Sequence, residues 1–514
     1  MFAYISRRLG ALLVTLLGSS FILYNLAAIS GDPLQELKVS TDPNAQQQII
    51  ALTRTLQLDV PPPLRYFLWL KGVLGVFIGK ADFGLTRDAQ EVTTAIAAVI
   101  PTTVRLVFFA TIIAIILGIA VGIATALRQY SRFDYAMTFV SFLLFSLPIF
   151  WIAVLLKQYL AIEFNNFLSE PNVPITWAVV ASLIAGVFWS GIIGGDRKKV
   201  FTIFGVAAVL NFALLMVMDA VSWFTDPFLG PILVFVLGIG VAYGVTLLST
   251  GLGNKATLRS SQMMAVFALI TYYPVQKALD WGHHALVLIG LEAFTLVLAY
   301  FTARFFTKID RGPAIRTTMI TAFIISLLVF LDKLMQTWRP YMETDAINYR
   351  PIPTTGQVNA LLDPTQWWFG TLDVLVHMIL PTIALTLISF AGYIRYSRGT
   401  LLEVLNQDYI RTARAKGLTE RTVIMRHAFR NTLIPLTTIM VVDFAGILGG
   451  AAITERVFGW IGMGTLSLQA IGAFDLNLLM GTSLILGFLS VFANLVADLL
   501  YSALDPRIRA GKGK

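Results

Sequence analysis

Residues 408–435 read DYIRTARAKGLTERTVIMRHAFRNTLIP, the longest strongly polar and basic stretch in an otherwise apolar chain. Arg411, Arg414, Lys416, Arg421, Arg426 and Arg430 outweigh Asp408 and Glu420, and apolar runs of membrane length lie on both sides. A stretch of this kind does not cross a bilayer, and its Lys/Arg excess assigns it to the cytoplasmic face. On charge alone, that describes any positive-inside loop.

The order of the residues says more. Ala413 and Gly417 are four apart, so a helix over them carries a smooth face of small residues open to another backbone. Gly417 suits a helix C-terminus. Thr419 suits the N-cap of a second short helix, with Glu420 at its positive end. That second helix carries Val423, Ile424 and Ala428 among arginines, and the next span opens around Pro435. Two short helices at an elbow predict a docking element for a soluble partner.

RTARAKGL followed by RHAFRNTLIP resembles the cytoplasmic coupling loop of binding-protein-dependent ABC importer permeases, and in particular the B-type permease subunit of oligopeptide and dipeptide importers. Arg411, Thr412, Ala413 and Gly417 fall on the E-A-A-x-x-x-G positions of that loop, with Arg411 in place of the leading Glu. The resemblance marks Asp408, Arg411, Thr412, Ala413, Gly417, Arg426 and Asn431 as the ATPase-coupling residues. It continues through LQLDVPPPLRYFLWL, where Asp59, Pro61 and Tyr66 match, and ADFGLT, where Gly84 matches. SLPIFW at 146–151, PTTGQ at 353–357, HMILPTIAL at 377–385 and the tail LDPRIRAGKGK also fit. ITERVFGWIGMGTL at 453–466 resembles the family's last external loop, with Ile461 where proline is usual.

Composition sets the class independently. Of 514 residues, 57% are hydrophobic and only 13% charged, too apolar for a soluble chain of this size, and runs of about 20 apolar residues are transmembrane helices. The net charge of +9 sits in alternate short loops, which fits membrane orientation better than nucleic-acid binding. Cysteine is absent, excluding disulfides, thiolate zinc sites and cysteine nucleophiles. The four histidines show no zinc-site spacing, so no metal is assigned. No G-x-x-x-x-G-K-[ST] occurs, so no cofactor is expected on this chain, and the ATP-Mg that the resemblance implies belongs to partner subunits.

Taken in order, Arg7 and Arg8 precede an apolar run at 9–29, read as an anchor span rather than a cleaved signal. Residues 31–100 form an external segment. Spans two and three fall at about 102–127 and 135–160, with Pro148 kinking or opening the latter. Residues 166–349 have no counterpart in the family pattern. Six spans are expected there, at about 174–194, 200–219, 228–250, 262–279, 285–303 and 317–335. Arg197, Lys198 and Lys199, then Lys255 and Arg259, then Arg304, Lys308, Arg311 and Arg316 mark the inside turns. An even number returns the chain to the side it left. Spans four, five and six come at about 375–396, 433–453 and 478–501, with Trp367 and Trp368 as an interfacial belt before span four.

Few residues in the spans are polar enough to carry chemistry. Asp443 lies mid-span, where an ionisable group lines a cavity or bonds within the bundle. Gly446, Gly449 and Gly450 permit close packing or a gate. Asp443, Gly446, Gly450 and Glu455 are the candidates for the translocation path or gate. Lys157 and Glu163 read as interface anchors, and Glu292 as an internal polar contact or a proton relay.

The expectation is an all-α integral membrane protein: a six-span type I importer core plus about six inserted helices, about twelve spans in all. Its parts are an anchor span at 1–30, an external segment at 31–100, core at 101–165, insertion at 166–349, and core at 350–514 with the coupling loop at 398–432. The resemblance implies a non-enzymatic permease for di- or oligopeptides, or for related solutes such as nickel chelates. Its implied partners are a second permease subunit, two ATPases and an extracytoplasmic solute-binding protein. The implied site is the bacterial plasma membrane, with both termini cytoplasmic. An ion-coupled secondary transporter is the alternative. It calls for inverted repeats and paired midplane charges, for which Asp443 alone is a weak basis. A membrane-embedded enzyme calls for clustered catalytic residues, and the insertion has none.

Overall fold

The computed structural model describes residues 2–308 and 311–504, and within them the side chains of all but residues 2–5, 8, 445, 447–450 and 497–504. The basic tail therefore lies outside the described residues. Every regular element among those described is helical. Among the described residues, nine helices are long and apolar enough to cross a membrane, and a bent pair, Arg132–Ser146 with Ile149–Ser169, brings the number to ten. The chain divides into two compact units, residues 1–161, 354–357 and 377–514 in one and residues 162–353 and 358–376 in the other.

In the first unit, helix Val92–Leu127 runs 36 residues, about 54 Å, and starts well before the stretch the sequence marks as span two. Pro101 stands inside it rather than before it. A membrane helix tolerates this because neighbouring elements satisfy the freed backbone groups. The helix meets Trp367–Leu405 closely. A Cβ on Gly118 would fall 2.4 Å from Tyr393 Cβ, and one on Gly122 1.8 Å from Ser397 Oγ. This is small-residue packing at G-x-x-x-G spacing, and Ser397 Oγ and Thr386 Oγ1 donate across it to the carbonyls of Gly118 and Ala110.

Pro148 does more than kink span three. The chain turns by 103° between Arg132–Ser146 and Ile149–Ser169. Proline lacks the N–H that would continue the ladder and drives Leu147 to extended backbone. Residues 31–100 form the short helices Gln35–Lys38, Ala45–Thr55 and Pro62–Leu74 before Val92–Leu127 begins. There Tyr24, Tyr66, Trp69 and Phe83 bury together with Met463, Leu466 and Met480. Trp69 Nε1 donates to the Phe83 carbonyl at 3.1 Å, and Arg87 N–H donates to Asp475 at 2.7 Å.

In the second unit, each of the six stretches expected as spans is a helix: Ile175–Ile193, Arg197–Ala220, Gly230–Leu248, Lys255–Leu279, His284–Phe306 and Arg311–Met342. Lys255–Leu279 is not among those apolar enough to be assigned as spanning. The last four share a core of Met264, Ala265, Ala299, Ala322 and Ile325, with Phe235 and Ile239 of Gly230–Leu248 packed against it. Buried Asp332 on Arg311–Met342 ties it to Gly230–Leu248 and Lys255–Leu279, accepting from the N–H groups of Leu229 (2.6 Å) and Gly230 (3.2 Å), from Gln336 and from the Tyr272 hydroxyl. Trp367 and Trp368 open the helix Trp367–Leu405. Trp367 stacks on His284 at 4.9 Å, and Trp368 Nε1 donates to the Leu279 carbonyl.

Candidate coupling and translocation site

The elbow forms where the chain turns between helix Asp408–Ala415 and the arm that starts at Glu420. Helix Asp408–Ala415 carries Asp408 in its first turn, where a carboxylate suits the N-terminal partial charge. It ends at Ala415, two residues before Gly417, whose φ of +75° is left-handed, and Leu418 N–H returns to the Ala413 carbonyl. Thr419 caps the second arm, its hydroxyl accepting from Thr422 N–H. Arg414 spans the reversal to Glu420 through contacts of 2.7 and 3.2 Å. This pairing holds the Glu420 carboxyl below its usual range and the Arg414 guanidinium above its own. The second arm does not stop before Pro435. Glu420–Thr422 leads through a π-helical turn, Val423–Ala428, directly into Phe429–Gly450.

The smooth face expected over Ala413 and Gly417 is not an open one. Ala413 is buried with Ile410, Val423, Ala428, Leu401 and Ala126, so this side of the short helix packs inward on the ends of three long helices. Gly417 lies beyond the helix end, with nothing within 4 Å of a Cβ built there. The outward side carries Asp408, Arg411, Thr412, Arg414, Ala415 and Lys416, all exposed. Asp408 and Arg411 approach to 3.7 Å, and the Thr412 hydroxyl donates to the Asp408 carbonyl. Arg426 is also exposed, whereas Asn431 is half-buried and donates to the His427 carbonyl.

A pair that sequence reasoning missed anchors the approach to this elbow. Arg398, about two turns before the end of Trp367–Leu405, makes two contacts with Asp134, at 2.7 and 2.9 Å. Asp134 is buried and also accepts from Tyr130 N–H. The residues are 264 apart, and no local pattern joins them.

The path candidates fall in two separate networks. Asp443 is half-buried and accepts from the Tyr393 hydroxyl at 2.9 Å, so it bonds within the bundle. Gly446 faces open space, and Gly450 lies outside the residues whose side chains are described. Glu455 is fully buried on the short helix Ala452–Phe458. Its carboxyl accepts from Thr103 Oγ1 at 2.9 Å and from Thr465 N–H at 2.7 Å. Thr103 in turn accepts from Met463 N–H. Gly462 must be glycine, because a Cβ there would lie 2.3 Å from Glu455 Oε1 and 2.5 Å from Thr103 Oγ1. The same loop is held by Gly356 N–H on the Phe458 carbonyl, Gln357 Nε2 on that of Ile461, and Lys157 Nζ on that of Val457. Lys157 is therefore a tether of this loop and not only an interface anchor.

The sequence pattern of the family described as "Binding-protein-dependent transport system inner membrane component" matches residues 200–510. The chain belongs to that family. The match covers the elbow, the Asp443 helix and the Glu455 loop, and it also runs through residues 200–349. Among relatives, the chain is 37% identical over 188 residues to the oligopeptide transport system permease protein OppB of Mycobacterium tuberculosis, 36% of this chain and 55% of that one. It is 41% identical over 162 residues to the dipeptide transport system permease protein DppB of Escherichia coli, 31% of this chain and 47% of that one. It is 42% identical over 140 residues to the oligopeptide transport system permease protein AppB of Bacillus subtilis, 27% and 44%. The chain spans about half the length of the curated relatives it matches. As a member of this family it is a multi-pass membrane component of a transport system.

Proposed function

We propose that this chain is the permease subunit of an ATP-driven importer of di- or oligopeptides, with related small solutes such as nickel chelates within its range. The observation that carries this reading is the elbow. A short helix with a cationic outer side rests on a core drawn from the ends of Val92–Leu127 and Trp367–Leu405, and its second arm is continuous with the Asp443 helix. A load applied to the exposed residues Asp408, Arg411, Thr412 and Arg426 passes through packed side chains to these helices, as a device biasing a two-state bundle requires.

In this reading two ATPase subunits hold ATP-Mg, one of them on the elbow of this chain. A second permease completes the path, and a solute-binding protein delivers from the far side. Asp443 offers a carboxylate to a peptide ammonium once the Tyr393 contact opens, and the loop around Glu455 forms the outer gate. Counting Lys255–Leu279 and Phe429–Gly450 with the ten spans gives twelve, with both termini on the cytoplasmic side and residues 166–349 as an added helical region. The test is ATP-dependent uptake of labelled peptides by the reconstituted complex. Wild type takes up peptide and Gly417→Arg does not, although the chain still inserts. Equal uptake by the two forms, or uptake driven by an ion gradient without ATP, overturns the proposal.

A further inference from the structure

The second unit contains a cavity of about 450 Å³ among helices Lys255–Leu279, His284–Phe306 and Arg311–Met342. Its wall is almost wholly apolar, with Met264, Phe267, Leu288, Phe294, Phe323 and Phe330 among its side chains. Phe294 and Phe323 are also exposed, so the cavity opens on the lateral surface of these helices. One carboxyl stands in the wall. Glu292 lies about 12 Å along its helix from His284, well inside a spanning segment.

Its two oxygens are unequal. Oε2 accepts from Ser326 Oγ at 2.5 Å. Oε1 is buried and has no hydrogen-bond partner. The other hydroxyls of the wall are committed elsewhere, Thr271 to the Phe267 carbonyl and Thr295 to the Leu291 carbonyl. A carboxyl oxygen without a donor in apolar surroundings is costly, and a membrane interior makes it more so. The cost is removed by a group that brings N–H donors and a positive charge, while the rest of the cavity rewards an apolar body.

We propose that this cavity binds an amphiphilic amine, its protonated nitrogen on Glu292 and its apolar body between the three helices, entering from the lateral side. A neutral acyl chain fills the apolar part equally well but leaves Glu292 Oε1 unmatched, so charge complementarity favours the amine. The site is independent of the importer reading, and each stands if the other fails.

The test uses the full chain in lipid nanodiscs and two matched probes, 1-pyrenemethylamine and 1-pyrenemethanol, read by energy transfer from tryptophan to pyrene. The amine is expected to bind saturably, with the alcohol failing to compete at equal concentration. Glu292→Gln keeps the shape and an acceptor for Ser326, and should weaken amine binding by about 10- to 100-fold. Ala268→Phe, which fills the cavity and leaves the carboxyl untouched, should abolish binding. Absence of saturable binding to wild type, equal affinity in Glu292→Gln, or equal competition by the alcohol overturns the proposal. The last result assigns the cavity to neutral lipid chains. If Glu292→Gln does not fold, the amine–alcohol comparison on wild type decides alone.

Discussion

Replacing Glu455 with alanine removes both acceptor contacts that hold the 451–467 loop from within, those with Thr103 Oγ1 and Thr465 N–H. A hydrogen bond to a carboxylate contributes about 1.5–3 kcal/mol, and a buried donor left without a partner costs a further 1–3 kcal/mol, roughly. Thr103 also orders Met463 N–H, so its reorientation spreads the loss into the next helix. Allowing for the contacts that remain from Gly356, Gln357 and Lys157, local stability should fall by about 3–5 kcal/mol. In hydrogen exchange on the protein in nanodiscs, the amides of Trp460, Met463 and Thr465 should then exchange at least about 100-fold faster. Thr103→Val should produce part of the effect. The two changes together should fall short of their sum by about 1–3 kcal/mol, because they break one network. If exchange at these amides changes less than about threefold in Glu455→Ala, the buried carboxyl does not hold this loop and the network has no part in its order.

Three further outcomes rest on other contacts. Arg398→Ala leaves Asp134 buried beside only neutral donors and should destabilise the first unit by about 3–5 kcal/mol in thermal unfolding, with Arg398→Lys intermediate because it loses the two-point contact. Gly122→Ala should be destabilising by about 1–3 kcal/mol as its Cβ forces the helix of Ser397 away, while Gly446→Ala, facing open space, should be neutral in the same assay. The Arg414 contact lowers the Glu420 carboxyl, so its contribution is present above the ordinary glutamate range and disappears as pH falls through the lowered value. Both groups are exposed, which limits the contribution to below about 1 kcal/mol, and Arg414→Ala should raise the Glu420 titration midpoint, followed by NMR, back to the ordinary glutamate range.

Much of the helical layout was legible because apolar runs of membrane length alternate with basic turns at 197–199, 255–259 and 304–316. The Gly417 and Thr419 signals at the elbow were equally readable, since a left-handed C-terminus and an N-cap each depend on one local residue type. Which side of a helix faces inward was harder. Ala413 and Gly417 share a spacing, yet Ile410 and Val423 draw Ala413 into the core and leave the charged side outward. Helices apolar all round give no amphipathic period to read, so the start of Val92–Leu127 before Pro101 was missed. The close approach at Gly118 and Gly122 was written in their four-residue spacing and went unread. The Asp134–Arg398 and Lys157–Val457 contacts join residues hundreds apart, and only the folded chain brings them together.

In the proposed importer, the outer side of helix Asp408–Ala415 receives an ATPase. The natural chain has no cysteine, so single cysteines report one position each. The decisive measurement places a photo-crosslinker on Ala415→Cys, which is exposed, and in parallel on Ala413→Cys, which is buried, then identifies by mass spectrometry what each captures from native membranes. The Ala415 position should capture a P-loop ATPase, and the Ala413 position should label poorly and capture none. An ATPase that co-purifies but never crosslinks from the Ala415 position, or no ATPase with either form, contradicts the claim.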